Sequence, residues 1–438
     1  MKKLYKLIAG VTLVIASSAQ SFAQFSPLCG GIRFHDYMFS GVPTPTSGVV
    51  YGSNLTYSGA TQSLLMDIYQ PVGDTASKRP LIIIAHGGSF VQGSRTGGDV
   101  VPLAQNFAEM GYVTASIDYR LLMTNLTTGP DSADAGAAVM RGVQDGRAAV
   151  RFFRKNARVG GNTYKIDTNH IYFVGVSAGA FIAIHIAYMN LLSDFPSYID
   201  TTGVTQGSTT GQPGLHGGIE GLSGNPGYPS NVNAIIDICG AIADTNMMHP
   251  GAIPILSFHG NADGTVPYGY AEIYLAPPTT FPLLKVYGSS MVTLRATHLG
   301  IPNCMETWLG QGHVPETTSA AYYDSTITIS RTWLEHFTCG TALNCSYTQP
   351  LGVNELTKNT DFNIYPNPAN TYSTVELSAF TGKSVNIELY DALGRRIVNV
   401  ENLKAEKYVL DRNNMPTGIY FIKVSSEGKN YCKKLIFE

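Results

Sequence analysis

The chain has 438 residues, a length that suggests two or three domains. Its 29 Lys and Arg residues nearly balance its 31 Asp and Glu residues, and a net charge of −2 excludes the basic surface with which nucleic-acid-binding proteins neutralise phosphates. Hydrophobic residues make up 44% of the chain, which excludes an intrinsically disordered protein and is enough for a large core.

The first 23 residues are predicted to form a secretory signal peptide. Three lysines precede an apolar run, Leu7–Ala16, and small residues end the segment at Ala23, so Gln24 is the expected start of the mature chain. The apolar run is too short for a transmembrane helix, which needs roughly 20 residues. No later stretch is apolar enough to cross a bilayer, so no integral membrane segment is expected after the signal peptide is removed.

The rest of the chain divides by composition. Charged residues occupy 19 of the 78 positions in 361–438 but only 38 of the 337 positions in 24–360. The polar, unpatterned residues 341–360 are predicted to be a linker. It would join a large domain, residues 24–340, to a small one, residues 361–438; we call these the body and the tail.

The body alternates between apolar runs typical of buried parallel strands and helical patterns. The predicted strands are Leu81–Ala85, Val113–Ile117, Ile171–Val176, Ala234–Ile238, Ile253–Phe258 and Met305–Leu309, and the predicted helices are Leu103–Met110, Arg147–Asn156, Ala180–Leu192 and Ser290–Leu299. Two earlier segments, Val49–Tyr57 and Leu64–Tyr69, alternate like antiparallel hairpin strands. This order predicts an α/β fold, a mostly parallel sheet with helices on both faces. Residues 193–233, rich in Gly, Pro, Ser and Thr, are predicted to form a cap-like insertion.

Export makes disulfide bonds possible, and the chain has six cysteines. Cys239 lies in an apolar run and is expected to be a buried thiol, whereas Cys432 lies in the tail. The remaining four are the expected disulfide-forming set, with their pairing left open: Cys29, Cys304, Cys339 and Cys345. The sequence contains neither CxxC spacing nor an HExxH run, so a metal site is not predicted.

A candidate nucleophile follows a buried strand. The sequence Gly175-Val-Ser-Ala-Gly179 comes directly after that strand and opens a helix, so a sharp turn would place the Ser177 hydroxyl above the sheet. Such a turn requires small neighbours, and the helix N-terminus beneath it favours negative charge that develops in a reaction. Gly-rich turns with a structural serine also occur, but the position between strand and helix favours the nucleophile.

Backbone amides for an oxyanion hole are predicted upstream, in the run His86-Gly-Gly-Ser-Phe90 after strand Leu81–Ala85. Glycines let backbone N–H groups approach a ligand closely. The candidate donors are the amides of Gly88, Ser89 and Ala178, and the choice between Gly88 and Ser89 is left open. Phe90 and Tyr268 are substrate-pocket candidates by sequence proximity, and His86 is expected to be a packed structural residue.

A carboxylate and a base are predicted at the ends of later strands. Asp263 follows strand Ile253–Phe258 and is preferred over Asp244, which ends the preceding strand, because Asp263 follows the strand expected beside the site. His313 lies in a Gly-flanked loop after strand Met305–Leu309 and is the preferred base. The histidines at positions 170, 185 and 298 are assigned to packing or surface roles.

Ser177, Asp263 and His313 occur in the chain order of α/β-hydrolase triads. The body from about Val49 to Phe337 resembles the α/β-hydrolase carboxylesterase and lipase family, with supporting context in Leu65-Met-Asp-Ile-Tyr-Gln-Pro71 and Ile166-Asp-Thr-Asn-His-Ile171. The resemblance implies that Ser177 is the nucleophile, that His313 is the general base and then acid, and that Asp263 orients and stabilises the imidazole.

The tail is predicted to be a sandwich of short strands, and it resembles the C-terminal sorting domains of type IX secretion cargo in Bacteroidota. The matching motifs are Tyr365-Pro-Asn-Pro-Ala369, Leu389-Tyr-Asp-Ala-Leu-Gly394, Pro416-Thr-Gly-Ile-Tyr-Phe421 and Lys433-Lys434. The resemblance implies contact with the type IX secretion machinery through residues 361–438 and passage to the cell surface or the medium. A generic accessory β-module is the alternative.

The two resemblances together imply a secreted serine carboxylesterase that forms an acyl-enzyme and needs no cofactor. Its substrate would be an acyl ester on a carbohydrate, a lipid or a polyester. Two alternatives stay open at this point. One is an exopeptidase with prolyl-oligopeptidase-like chemistry, although the chain lacks room for the additional domain of those enzymes. The other is a non-catalytic hydrolase-fold binding module, against which the presence of Ser, Asp and His argues.

Overall fold

A computed structural model of the chain describes residues 25–123, 125–199, 213–274, 282–343, 345, 362–391, 395–413, 415–426 and 429–438. The predicted signal peptide and most of the predicted linker lie outside these residues. The chain forms two compact units, one up to Tyr347 and one from Thr348.

The body is built on an eight-stranded sheet. Its strands are β1 (Thr46–Leu55), β2 (Thr61–Tyr69), β3 (Arg79–Ala85), β4 (Val113–Ile117), β5 (Ile166–Val176), β6 (Ala234–Ile238), β8 (Ile255–Gly260) and β11 (Asn303–Trp308). Their spatial order is β1-β2-β4-β3-β5-β6-β8-β11. Strand β7 (Ala241–Ile242) lies outside this sheet. The β1–β2 and β2–β4 pairs are antiparallel and all others are parallel. Each strand predicted from its apolar run is present, with ends that differ by a few residues.

Helices cover both faces of this sheet, as expected for parallel strands that are buried on two sides. They are α1 (Val101–Glu109), α2 (Ser132–Val159), α3 (Ala178–Tyr188), α4 (Ser289–His298) and α5 (Ala320–Cys339), and short 3₁₀ turns lie at Leu192–Asp194, Thr245–Met247 and Pro315–Thr317. Two separate apolar clusters, one on each face, form the core. The predicted α/β-hydrolase architecture is confirmed.

Helix α2 is much longer than the predicted helix Arg147–Asn156. The part of α2 before Arg147 contains glycines and shows little helical periodicity in the sequence. The structure shows why small residues are needed at these positions. A Cβ atom on Gly142 would lie 2.7 Å from Ile182 Cδ1, and one on Gly146 would lie 2.7 Å from Ile186 Cδ1. The glycines therefore let α2 pack closely against α3, and this close packing compensates for their low helix propensity.

A second, three-stranded sheet was missed by the sequence reasoning. It pairs β7 with β10 (Pro282–Gly288), and β10 with β9 (Tyr270–Tyr274), all antiparallel. The β9 and β10 segments are short and alternate only weakly, but the Pro- and Thr-containing run between them is a turn signal that could have indicated a hairpin.

Hydrogen bonds connect the described part of the 193–233 insertion to the rest of the body. The fully buried Arg120 donates to the carbonyl of Gly214 at 2.7 Å, and Gln144 of α2 donates to the carbonyl of Leu215 at 3.0 Å. These bonds satisfy loop carbonyls that would otherwise be buried without partners. Residues 200–212 lie outside the described residues, and a cap-like role for the insertion stays a prediction.

The structure pairs the four cysteines that the sequence left unassigned. Cys29 is bonded to Cys339, at the end of α5, and Cys304 of β11 is bonded to Cys345. Cys239 is a buried free thiol, as expected. The first bond closes a loop across nearly the whole body, where a disulfide restricts the unfolded chain most strongly.

The buried His185 of α3 is expected to make the stability of the body depend on pH in the acid range. It is buried; its Nδ1 donates to the carbonyl of Phe181 at 2.7 Å and its Nε2 accepts from the amide of Ala243 at 3.4 Å. Burial lowers the pKa of His185 from 6.5 to about 4. Between these two values the unfolded chain binds a proton that the folded chain does not, so this contribution to stability is complete above pH 6.5 and is lost as the pH falls toward 4.

We therefore expect the free energy of unfolding to fall between pH 7 and pH 5 by about 2 kcal/mol less in His185→Gln than in the unmodified protein. Urea unfolding followed by tryptophan fluorescence measures this, because both tryptophans of the chain, Trp308 and Trp333, belong to the body. An unchanged pH dependence in the variant would show that His185 does not titrate on unfolding.

The tail is all β, with three strands in one sheet and four in the other. The strands are β12 (Asn363–Tyr365), β13 (Tyr372–Glu376), β14 (Val385–Asp391), β15 (Arg396–Leu403), β16 (Lys407–Asp411), β17 (Gly418–Ser426) and β18 (Lys429–Phe437). The sheet orders are β12-β13-β16 and β15-β14-β17-β18. Val375 and Leu410 of the first sheet share one core with Ile387 and Ile422 of the second. The predicted small sandwich is confirmed.

None of the helices in the described part of the chain combines the length and the apolar character that a membrane-spanning helix needs.

Candidate active site

Ser177 lies in the turn between β5 and α3, in a strained backbone conformation with φ of 52° and ψ of −114°. The glycines on either side are sterically required. A Cβ on Gly175 would lie 2.0 Å from the carbonyl oxygen of Gly179, and one on Gly179 would lie 2.0 Å from the carbonyl oxygen of Ala85. The tight turn that imposes this strained conformation places the serine at the N-terminal end of α3, where the helix dipole favours negative charge.

The three residues predicted to form the triad are brought together by the fold. His313 Nε2 lies 2.8 Å from Ser177 Oγ, and His313 Nδ1 lies 2.6 Å from Asp263 Oδ2. With Nδ1 donating its proton to the carboxylate, Nε2 is free to accept the serine proton. The arrangement can therefore generate a serine nucleophile without a metal ion.

Asp263 is held as an ionised acceptor. Its side chain is fully buried, and Oδ1 accepts the amide protons of Thr265 at 2.8 Å and Val266 at 3.0 Å. Burial alone would raise the pKa of Asp263, but hydrogen bonds from His259 and His313 hold it well below its usual value. The negative charge beside His313 stabilises the imidazolium that forms when this base takes a proton.

Two loops that carry Asp263 and His313 are fastened to each other. The amide of Ala262 donates to the carbonyl of Gln311 at 2.9 Å, and a Cβ on Gly260 would lie only 2.2 Å from the carbonyl oxygen of Gly312. Gly260, at the end of β8, thus allows the histidine loop to pass directly over it. This contact joins two residues 50 positions apart in the chain, Asp263 and His313, into one unit.

Two of the predicted oxyanion-hole residues, Ser89 and Ala178, line the same cavity as Ser177. The amide of Gly87 donates to Asp99 Oδ2 at 2.7 Å, so this donor is already used and anchors the loop. Gly88 has φ of 119°, and a Cβ there would lie 2.1 Å from the carbonyl oxygen of Gln92, so glycine is required. Ser89 has φ of 55°, and Ala178 begins α3, where the first amides lack partners within the helix.

An apolar cavity of about 60 Å³ opens at Ser177. Phe90 and Ser89 line it, together with residues that the sequence reasoning did not identify: Met123, Ala135, Val139, Phe181, Thr265, Val266, Ile273, Tyr274, Leu283 and Leu284. The last four belong to the β9–β10 hairpin, which is why they were missed. Tyr268, the other predicted pocket residue, does not line this cavity. Its hydroxyl lies 2.8 Å from Thr307 Oγ1 of β11.

The remaining candidates from the sequence lie in other environments. Asp244 caps the 3₁₀ turn after β7 by accepting the amide proton of Asn246 at 2.8 Å. His86 is buried and stacked on Tyr119, and its Nδ1 lies 2.6 Å from the carbonyl of Gly87. His170 is paired with Asp167, and His298 is an exposed residue at the end of α4.

Within the described residues one group of three could offer ligand atoms to a metal ion. Cys239, His259 and Asp263 bring such atoms within 4.8 Å of one another. His259 Nε2 already lies 3.2 Å from Asp263 Oδ2, and that oxygen is hydrogen-bonded to His313; the side chains of Cys239, His259 and Asp263 are all fully buried. Metal binding would therefore have to break the chain of hydrogen bonds that ends at Ser177.

Comparison with known families agrees with this geometry. Residues 66–251, which include Ser177, match the family model BD-FAE, and residues 363–438 match the model described as secretion system C-terminal sorting domain. Residues 66–251 are therefore similar to the BD-FAE esterase family. The match of the tail to a secretion-system sorting domain indicates export of the protein to the cell surface or beyond. Asp263 and His313 lie outside the matched segment of the BD-FAE domain.

Two curated proteins are similar to parts of this chain. The non-reducing polyketide synthase pkbA of Emericella nidulans is 30% identical over 130 residues, 29% of this chain and 5% of that protein. Carboxylesterase 3 of Pongo abelii is 28% identical over 169 residues, 38% of this chain and 27% of that protein. The chain therefore spans only a small part of the length of either relative.

Solved structures of Thermogutta terrifontis esterase 2 are similar to this chain. The form phosphorylated by paraoxon has a TM-score of 0.46 and 18% identity, and the match covers 68% of this chain and 95% of that one. The butyrate-bound form has a TM-score of 0.46 and 17% identity, with 71% and 100% covered.

Proposed function

We propose that this protein is a secreted carboxylesterase that hydrolyses carboxylic esters through an acyl-enzyme on Ser177. The observation that carries the proposal is the hydrogen-bonded series Ser177–His313–Asp263, which opens on an apolar cavity. The match of residues 66–251 to the BD-FAE model and that of the tail to a sorting domain support a secreted esterase.

In the first half of the reaction, Ser177 Oγ attacks the ester carbonyl while His313 Nε2 takes the hydroxyl proton. The negative oxygen of the tetrahedral intermediate is stabilised by the Ala178 amide together with that of Gly88 or Ser89. His313 then gives its proton to the departing alcohol, and the acyl group stays on Ser177. Water repeats these steps with His313 as base, which releases the acid and restores the serine.

The cavity favours a compact, apolar acyl group. Its volume of about 60 Å³ is less than half of the roughly 150 Å³ in which an apolar cavity binds benzene. Its walls are mostly aliphatic and aromatic side chains, so a short hydrocarbon chain gains from desolvation there while the alcohol side of the ester points outward. The proposed substrates are therefore esters of short-chain acids, whatever the alcohol.

The test is hydrolysis of p-nitrophenyl butyrate by residues 24–438, compared with an amide substrate such as Gly-Pro-p-nitroanilide. We expect saturable ester hydrolysis with an initial burst of p-nitrophenol, and an amide rate lower by several orders of magnitude. A folded protein that cleaves the amide as well as the ester would support the exopeptidase alternative. A folded protein inactive on both would contradict the enzymatic function itself.

Phe181 offers a test of the acyl site. It lines both this cavity and a neighbouring apolar cavity of about 20 Å³, so Phe181→Ala joins the two. Each additional buried methylene contributes about 0.8 kcal/mol, and we expect the kcat/KM ratio of octanoate to butyrate esters to rise about tenfold or more. Phe153→Ala, at a buried position on α2 outside both cavities, is the matched control and should leave the ratio unchanged.

A further inference from the structure

A second imidazole lies behind the carboxylate of Asp263. His259 Nε2, at the end of β8, is 3.2 Å from Asp263 Oδ2, the same oxygen that accepts the proton of His313 Nδ1. The His259 side chain is fully buried. The proposed acyl-transfer steps give it no role, although it contacts the group that orients the base.

The protonation of His259 follows from its neighbours. Nε2 faces two oxygen acceptors, Asp263 Oδ2 at 3.2 Å and the carbonyl of Val266 at 3.1 Å. An unprotonated nitrogen would place its lone pair against both oxygens, so Nε2 carries a proton and donates it. That one proton is shared between the carbonyl of Val266 and Asp263 Oδ2, so Asp263 Oδ2 faces the N–H groups of two imidazoles.

The other side of the ring is anchored by α4. His259 Nδ1 lies 2.7 Å from the hydroxyl of Ser289, the first residue of α4, and that hydroxyl lies 3.3 Å from the carbonyl of Gly240. Ser289 is fully buried. Because both ring nitrogens have partners, the ring keeps a fixed orientation. The partner of Nδ1 lies on α4, whereas Asp263 lies in the loop after β8.

We propose that His259 is a positioning residue that keeps Asp263 ionised and aimed at His313, so that a chain of hydrogen bonds runs from Ser289 through His259, Asp263 and His313 to Ser177. This inference rests on the proposed function, because it assigns His259 a part in the same reaction. The motif His259-Gly260-Asn-Ala-Asp263 then has two purposes: the glycine admits the His313 loop, and the histidine supports the carboxylate.

The other titratable groups around His259 are consistent with this role. The ring of Tyr268 lies edge-on to that of His259, with 5.7 Å between the ring centroids; Cys239 directly follows β6, and Asp237 of β6 lies near His259. Burial raises the pKa of Asp237 and of the Cys239 thiol, whereas the pKa of Asp263 is held down. Asp263 is therefore the carboxylate beside His259 that ionises most readily.

The experiment compares His259→Leu, which removes the N–H donor, with His259→Gln, whose side-chain amide can still donate toward Asp263. For His259→Leu we expect kcat on p-nitrophenyl butyrate to fall about 10–100-fold with KM nearly unchanged. A carboxylate that has lost one donor attracts the His313 imidazolium more strongly, so the acid-side midpoint of the kcat/KM profile moves to higher pH. His259→Gln should recover most of the rate and return the midpoint toward that of the unmodified protein.

Equal losses in the Leu and Gln variants, with no movement of the midpoint, would overturn the proposal. Ser289→Ala provides a milder perturbation if His259→Leu does not fold, and a midpoint unchanged in Ser289→Ala would then overturn it. The unmodified protein and Ser177→Ala are measured alongside. An inactive unmodified protein or an active Ser177→Ala would refute the proposed function, which keeps the two failures distinguishable.

Discussion

Replacement of Ser177 by alanine is expected to lower kcat for p-nitrophenyl butyrate by about 10⁴–10⁶-fold. The serine oxygen forms the covalent bond to the acyl group, and it is the hydroxyl to which His313 Nε2 is hydrogen-bonded, at 2.8 Å. Binding changes little, because the cavity walls stay intact, so KM should remain within a few-fold of its original value. The remaining activity would come from water held near the oxyanion donors.

The control for this variant is Ser58→Ala, which removes a serine from the exposed turn between β1 and β2 and should leave the rate unchanged. Thermal unfolding of both variants followed by tryptophan fluorescence shows whether the body remains folded. A folded Ser177→Ala protein with more than a tenth of the original activity would mean that another residue is the nucleophile.

Asp263→Asn is expected to lower kcat about 10⁴-fold at neutral pH. Asparagine keeps the size of the side chain but offers an N–H where His313 Nδ1 now donates, so the imidazole is driven to the tautomer whose Nε2 cannot accept the serine proton. The negative charge that stabilises the imidazolium is lost as well. Measurement of kcat and KM across pH 5–9 separates these effects from a change in binding.

Asp244→Asn is the matched control, because Asp244 was the competing carboxylate in the sequence. It caps a 3₁₀ turn through one backbone amide, so its replacement by asparagine preserves the cap and should leave kcat within twofold. If Asp244→Asn loses activity while Asp263→Asn retains it, the assignment of the carboxylate is reversed.

The sequence predicted those features that depend on local pattern. The apolar runs identified every strand on which Ser177, Asp263 and His313 depend, because buried parallel strands are apolar on both faces. The sharp turn around Ser177 was also visible, since only small residues fit beside the carbonyls of Ala85 and Gly179.

Features that depend on contacts between distant segments were not predictable in this way. The β9–β10 hairpin, which supplies Ile273 and Leu283 to the cavity, has weak alternation and gains its stability from pairing with β7. The disulfide partners of Cys29 and Cys304 depend on which distant segments the fold brings next to them: the end of α5 lies beside Cys29, and the residues after α5 lie beside β11. The contact of His259 with Asp263 depends on the path of one loop and on the ring being held by α4.

The most direct test of the central claim is mass spectrometry of residues 24–438 after treatment with a fluorophosphonate, which reacts with an activated serine and stays attached. We expect one phosphonyl group per protein, on the peptide that contains Ser177, together with complete loss of ester hydrolysis. We also expect no labelling of Asp263→Asn over the same time. Attachment at another residue, or ester hydrolysis that persists in the fully labelled protein, would contradict the claim that Ser177 is the activated nucleophile.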